Sequence, residues 1–325
     1  MPGEELGGAG PVVMGGLPTR RRVVRVAGPD AGRYLQGQLS QDLDALEPGH
    51  CTWSLVLQPQ GKLDALVRVT RLADEELLLD TDAVAVGHLV ERLGRFKLRT
   101  RAEITELDWG SAALRAPLGA PVPDRPDGPT APAASDADGN LVLPFAWGGW
   151  WGYDVLGPGA PLPAATAPLA DVDFELGRVL SGFPCHGSEL DEATLPAEAG
   201  LVGRAVSFTK GCYTGQELVA RIDSRGGHVP RHLRGLALSA PAPSGAVLRR
   251  PGAAGAGERP VGRVTSTAGG PVPGWWALAY CARSVEVGDE VEVVEAGPQG
   301  SVEGAAVALA VVHELPCGRL AGMPG

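Results

Sequence analysis

Hydrophobic and polar positions alternate over residues 22–27. Gly28, Pro29 and Asp30 interrupt the run before residues 31–39, where Tyr34, Leu35 and Leu39 share one helical face. The spacing predicts a strand and then a helix with Asp30 at its N-cap. Residues 53–57, 63–70 and 76–80 are again strand-like, joined by the turn sequences Pro59-Gln60-Gly61-Lys62 and Ala73-Asp74-Glu75. Over 83–97, Val86, Leu89, Val90, Leu93 and Phe96 recur at helical intervals behind Asp82, a second N-cap, and residues 98–107 return to alternation. The order βαβββαβ predicts a split βαβ, ferredoxin-like unit over residues 20–109, preceded by an N-terminal tail at 1–19.

Residues 111–140 are poor in large apolar side chains and rich in Pro, Ala and Asp, so 110–140 reads as a flexible linker or insertion. The aromatic stretch with Phe145, Trp147, Trp150, Trp151 and Tyr153 opens a second α+β segment over 141–230, its tryptophans read as core packing rather than a ligand clamp. Short alternating stretches at 233–238, 261–267, 275–280, 290–294 and 305–312 predict a small C-terminal β-barrel or sandwich over 231–325. The fold class is therefore α+β and multi-domain.

Composition narrows the class of function. The chain has 325 residues, 44% hydrophobic and 20% charged, and a net charge of −10. These are the proportions of a soluble globular protein. An acidic balance opposes a broad nucleic-acid footprint, so no direct nucleic-acid partner is expected. The apolar run at 305–312 is far short of the roughly 18–20 residues that cross a bilayer, and the first residues have no cationic, then apolar leader. The expectation is a cytoplasmic protein with no membrane partner. Cys51, Cys185, Cys212, Cys281 and Cys317 form no C-x-x-C pair, and Pro230 interrupts the helical spacing of His228 and His232, so no metal site is assigned.

Chemistry concentrates at residues 210–217, KGCYTGQE. Thr214 and Glu217 have capping-box spacing ahead of Leu218, Val219 and Ile222, with Thr214 as N-cap and Tyr213 placed to staple onto Leu218. Cys212 then sits two residues before the cap, where free amides, the helix dipole and Lys210 favour a thiolate. The same pattern also reads as a plain cap, with Cys212 a small apolar side chain. No histidine is assigned to it as a base.

Residues 208–217, FTKGCYTGQE, followed by Val219-Ala220-Arg221 and Arg225-Gly226, resemble the signature of the YgfZ family of folate-binding proteins. Those are relatives of the glycine-cleavage T-protein, an aminomethyltransferase, and of the mitochondrial iron-sulfur assembly factor. The resemblance extends to Gly28-Pro29-Asp30 with residues 34–39, to Ser181-Gly182-Phe183-Pro184, and to residues 195–199, 262–266 and 277–280. It implies three domains around a central channel for tetrahydrofolate or a one-carbon derivative, with a transient iron-sulfur cluster as a further candidate. The implied partners are reduced folate and iron-sulfur client enzymes, including one that thiolates tRNA.

By the same resemblance Cys212 is the reactive thiol, with Lys210 beside it, and Phe174 falls at the pterin-side aromatic. Arg178, Lys210, Arg221 and Arg231 are candidate partners for the glutamate tail, and Tyr213, Gln216 and Glu217 complete the implied folate set. Aminomethyltransferases resemble one another in an Arg-x-Glu-Ala-Gly stretch and in paired aspartates. Here Leu180 stands at the acid of the first, and Asp64-Ala65 keeps one carboxylate of the second. An aromatic of some YgfZ proteins near the first strand is replaced by Arg21 or a neighbour. These departures favour an accessory folate-binding factor over the alternative, a folate-dependent aminomethyl or methyl transferase. A binding module without turnover is a third reading.

Overall fold

The computed structural model describes residues 14–118, 120, 131–136, 138–159, 162, 166–252, 259–270, 274–297 and 305–317. The chain begins with β1 (Gly15–Thr19), β2 (Arg21–Ala27), α1 (Ala31–Gln38), β3 (His50–Leu57), β4 (Leu63–Ala73), β5 (Glu76–Asp82), α2 (Ala83–Arg95), β6 (Glu103–Leu107) and β7 (Gly110–Arg115). It continues through β8 (Ala131–Pro132), β9 (Ala134–Ser135), β10 (Leu141–Trp147), β11 (Trp150–Gly157), β12 (Ala167–Pro168), α3 (Asp171–Ser181), α4 (Val202–Ala205) and α5 (Gln216–Ser224). The last strands are β13 (Arg231–Leu238), β14 (Val247–Arg249), β15 (Gly262–Gly270), β16 (Gly274–Ala282), β17 (Glu290–Val294) and β18 (Ala306–His313).

The first sheet has the order β6-β2-β5-β4-β3-β8. Both β5 and β6 run antiparallel to β2, so they are parallel to each other with α2 crossing between them: a split βαβ, as the alternation predicts. Val24, Val26, Val67, Val69, Leu77 and Leu79 pack on one face beneath Leu35 of α1, Leu39 at its C-cap, and Leu89 and Leu93 of α2. The period of two sends Val23, Arg68, Leu78 and Asp80 to the opposite face. There Val23 and Leu78 meet Leu141, Leu143 and Leu156 of a second sheet, ordered β12-β1-β7-β11-β10-β9. Burial on both faces explains why β4 and β5 are almost wholly buried yet carry charges.

Several expectations change. Residues 15–19, read as tail, are strand β1, and residues 110–115, read as linker, are strand β7 between β1 and β11. Small side chains at Ala112 and Ala113 misled the composition reading, because a buried strand in the middle of a sheet needs no large ones. Residues 121–130 of that linker lie outside the described residues. Asp30 and Asp82 are N-caps by position, but neither carboxylate caps. Asp30 instead accepts the Arg101 backbone N–H at 2.9 Å, and Asp82 accepts that of His186 at 2.9 Å.

The two sheets are bridged by buried charge. Arg21 binds Asp80 and Asp82. The Nε of Arg68 donates to Asp80 Oδ2 at 3.0 Å, and its Nη1 lies 2.9 Å from Asp154 Oδ2 on the second sheet. Arg115 Nη2 completes the series by donating to Asp154 Oδ1 at 2.8 Å. Burial alone would raise the Asp154 pKa, but Arg115, Arg68 and Arg21 reverse this and hold it at about 2.

Strands β13-β16-β15-β14-β17-β18 close the C-terminal barrel. Helix α3 joins it to the rest: Val179 packs with Leu233, Leu278 and Tyr280 of the barrel, while Leu176 and Leu180 meet Cys317. Gly177 lets α3 close on β11, since a Cβ there would lie 2.5 Å from the Trp150 ring. Trp147 and Trp150 are buried in the central core, as the aromatic pattern predicts. No helix among the described residues is long and apolar enough to cross a membrane.

Arg68→Met leaves two buried carboxylates short of a partner and is expected to cost about 3–5 kcal/mol in urea unfolding. Because Asp154 titrates lower folded than unfolded, its contribution is complete above about pH 4 and lost as pH falls toward 2. Unfolding free energies across that window are expected to drop by about 2 kcal/mol more in the wild type than in Asp154→Asn.

Candidate functional site

Where α3 approaches the two sheets, a cavity of about 340 Å³ opens. Phe145 from β10, Phe174 from α3 and Phe183 just beyond α3 supply its aromatic walls, with Arg21, Asp82, Arg115 and Asp154 among the polar lining. The rings interlock: Phe145 meets Phe183 edge to face at 5.2 Å between centroids, and Phe174 meets Trp150 at 5.1 Å. Such contacts hold the walls in place without a ligand. The Arg115 guanidinium lies 3.8 Å from the Phe145 centroid.

A second cavity of about 480 Å³ shares Val84 and His186 with the first and is lined by Asp64, His88, Asp191 and Glu192. His186 Nε2 accepts the Leu66 N–H at 2.9 Å, which places the ring proton of the neutral imidazole on Nδ1. Burial lowers its pKa, with Asp82 pulling the other way. Cys185 also lines the first cavity, and burial, reinforced by Asp82, pushes its thiol far up, so it is protonated.

The KGCYTGQE loop is a separate place. Cys212 is exposed and lines neither cavity. Helix α5 starts at Gln216, one residue later than the capping box requires, and its N-cap is Gly215 at φ +82°. The expected Thr214 cap is absent because the loop has another requirement. Gly215 presses onto the β3–β4 hairpin, where a Cβ would lie 2.5 Å from Gln58 O, and Gly61 of that hairpin leaves room for Leu218. The Thr214 N–H donates to Gly37 O at 3.2 Å, and the Gln216 side chain folds back to accept the Tyr213 N–H at 3.1 Å.

Lys210 fixes the loop from the other side. Its amine donates to Gln36 O at 2.7 Å, Leu39 O at 2.7 Å and Gln41 O at 2.9 Å. Those carbonyls lie at the end of α1, where a cation is favoured. Burial draws the amine down to about 8, opposed by Asp42 and Asp44.

No family model matches the chain. Among curated proteins it is similar to the tRNA-modifying protein YgfZ of Edwardsiella ictaluri, 34% identical over 229 residues that cover 62% of this chain and 65% of that protein. It is also similar to the mitochondrial iron-sulfur cluster assembly factor IBA57 homolog of Pyricularia oryzae, 32% identical over 220 residues that cover 63% of this chain and 53% of the relative. The chain thus spans about half to two thirds of the length of these relatives. Its fold is that of the glycine cleavage system aminomethyltransferase T from Bartonella henselae, with a TM-score of 0.77, 21% identity, and coverage of 95% of this chain and 87% of that one. The chain is thus similar in sequence to YgfZ and IBA57 proteins and shares the T-protein fold.

Within this T-protein-like fold the residues singled out by sequence fall in different places. Phe174 lines the first cavity. Cys212, Lys210, Tyr213, Gln216, Glu217 and Arg221 gather on the α5 loop, with Tyr213 buried in the core and Glu217 and Arg221 exposed. Arg178 lines neither cavity: it is buried, bound to Glu175 and Glu189, and donates to Phe183 O at 2.9 Å. Arg231 pairs with Glu198 at 3.0 Å and stacks over Tyr280 at 4.2 Å. Leu180 is core, and Asp64 is held by Arg92 at 3.2 Å.

Sequence reading passed over Arg115, Asp154, Cys185 and His186, which line the cavity. A signal was present for two of them, since Arg115 and Asp154 stand within apolar strand runs, where a charge is costly unless paired.

Lys210→Met strips three carbonyls of a charged donor and is expected to lower stability by about 2–3 kcal/mol, read as a shift in the urea midpoint at unchanged m-value.

Proposed function

We propose that this protein is a tetrahydrofolate-binding accessory factor for the assembly or repair of iron-sulfur enzymes, a tRNA-thiolating enzyme among them, and that Cys212 is its reactive thiol. The observation that carries this reading is the division of the molecule into an aromatic-walled internal cleft and an outward-facing thiol. Of the five cysteines, Cys212 alone is exposed. A thiol that must meet a client enzyme or its cluster belongs on the surface, whereas one that attacks a folate-bound group belongs in the cleft.

The cleft residues fit a folate. Its volume of about 340 Å³, with the adjoining cavity of about 480 Å³, lies in the range of small-molecule sites, and three phenylalanines with a buried guanidinium suit a flat, polar heterocycle. Phe145, Phe174 and Phe183 would hold the pterin ring, and Arg20, an exposed residue of the lining, would meet a carboxylate of the tail. When bound, the folate supplies a carrier for a one-carbon unit. The buried side chains exclude water around it, and His186, neutral with its proton on Nδ1, offers a donor rather than a charge.

An iron-sulfur cluster enters this reading as cargo. One exposed thiol supplies one ligand, and a cluster held by four cysteines needs more, so Cys212 acts with a partner's ligands or with a small thiol.

The test is complementation of a host lacking its own YgfZ-like protein, read as the specific activity of an iron-sulfur tRNA-thiomethylating enzyme. Wild type is expected to restore activity and Cys212→Ala, at matched abundance, to leave it at the uncomplemented level. Equal rescue by both removes the chemical role of the thiol. Rescue by neither, with both proteins folded, overturns the accessory role and favours the transferase.

A further inference from the structure

Arg115 carries a buried donor that has no partner among the described residues. The side chain is 4% exposed. Its Nη1 donates to Tyr153 O at 2.8 Å and Leu114 O at 3.1 Å, and its Nη2 to Asp154 Oδ1 at 2.8 Å. The Nε–H has no acceptor among the described residues. An unsatisfied buried donor is costly to keep, more so on a charged group. This one belongs to a residue that lines the first cavity, with its guanidinium 3.8 Å from the Phe145 centroid and 5.7 Å from that of Phe174.

The charges around the cavity favour one kind of ligand group. Its two acids are already engaged: Asp154 binds Arg68 and Arg115, and Asp82 binds Arg21 and the His186 N–H. Arg20 and Arg21 add further cations to the lining. An ammonium or iminium group entering here meets guanidinium groups and no free carboxylate. A carbonyl oxygen meets an idle donor, so the cleft selects an acceptor.

We propose that Arg115 is a specificity-determining residue, donating its Nε–H to the ring carbonyl of the bound pterin; this rests on the folate-binding reading above. It makes the cleft selective for 4-oxo over 4-amino pterins, because the amine presents a donor where Arg115 requires an acceptor. Asp154 and, through it, Arg68 act as positioning residues that fix the guanidinium plane against Phe145.

The experiment is anaerobic titration calorimetry of the full chain with tetrahydrofolate and with its 4-amino analogue, tetrahydroaminopterin. Wild type is expected to bind the 4-oxo compound about tenfold more tightly or better, the value of one charge-assisted hydrogen bond. In Arg115→Met the ratio of the two affinities is expected to fall to within about threefold. Because both ligands are measured on one protein, a general loss of stability does not mimic the change. If Arg115→Met does not fold, Arg115→Lys, which keeps a cation beside Asp154 but lacks the planar fork, carries the test with the same narrowing expected. Equal affinity of wild type for both compounds, or an unchanged ratio in the folded variant, overturns the role of Arg115 and leaves folate binding standing. Binding of neither compound to wild type overturns both.

Discussion

The ladder of charge from Asp80 through Arg68 and Asp154 to Arg115 holds the two sheets in one arrangement, and the cleft exists because of it. Apolar packing brings the two faces together, and a guanidinium that must meet a carboxylate on each sheet adds a directional contact that fixes where they meet. The stacking of Arg21 and Arg68 over Trp53, at 5.5 and 5.4 Å, ties the same charges to the aromatic core. With that register set, Phe145 on one sheet, Arg21 on the other and Phe174 on α3 surround a single space.

The second organising contact is Lys210 on the end of α1. It joins residue 210 to residues 36–41 of the first unit and so places the Cys212 loop on the outside of the sheet that forms the cleft. The interlocked glycines Gly61 and Gly215 do the same for the β3–β4 hairpin. The lysine, read from sequence as an activator of the thiol, is therefore an anchor of its loop. The contrast is one of geometry: a helix end offers carbonyls in a fixed cluster, and an amine on a long stem reaches them.

Much of the fold was legible because periodicity is local. The βαβββαβ order, both helices of the first unit and five of the six barrel strands follow from alternation and helical spacing. What was not legible depends on distant partners. Residues 110–115 look like linker because alanines buried in the middle of a sheet need no size, and their pairing with β1 and β11 is set far along the chain. Phe174, singled out by resemblance, lines the cleft, whereas Arg115 and Asp154 were passed over, although a charge inside an apolar strand is itself a sign of a buried pair. Arg178 and Arg231 failed as free cations for the opposite reason: their partners Glu189 and Glu198 come from loops that no periodicity places.

A buried ion pair seldom adds net stability over a well-packed apolar substitute, so the ladder's presence calls for a reason other than stability. Register is one, but register needs only the contact across the sheets between Arg68 and Asp154. Arg115 lies beyond that contact and lines the cavity, and burying it costs desolvation that lowers its pKa. Three hydrogen bonds orient the guanidinium, and its Nε–H has no partner among the described residues. A group held so firmly and left incomplete has the form of a preorganised binding element, whose ordering cost is met in folding rather than on association. The ladder thus connects the architecture to the cleft: the same charges that fix one sheet against the other also fix the donor that a ligand would meet.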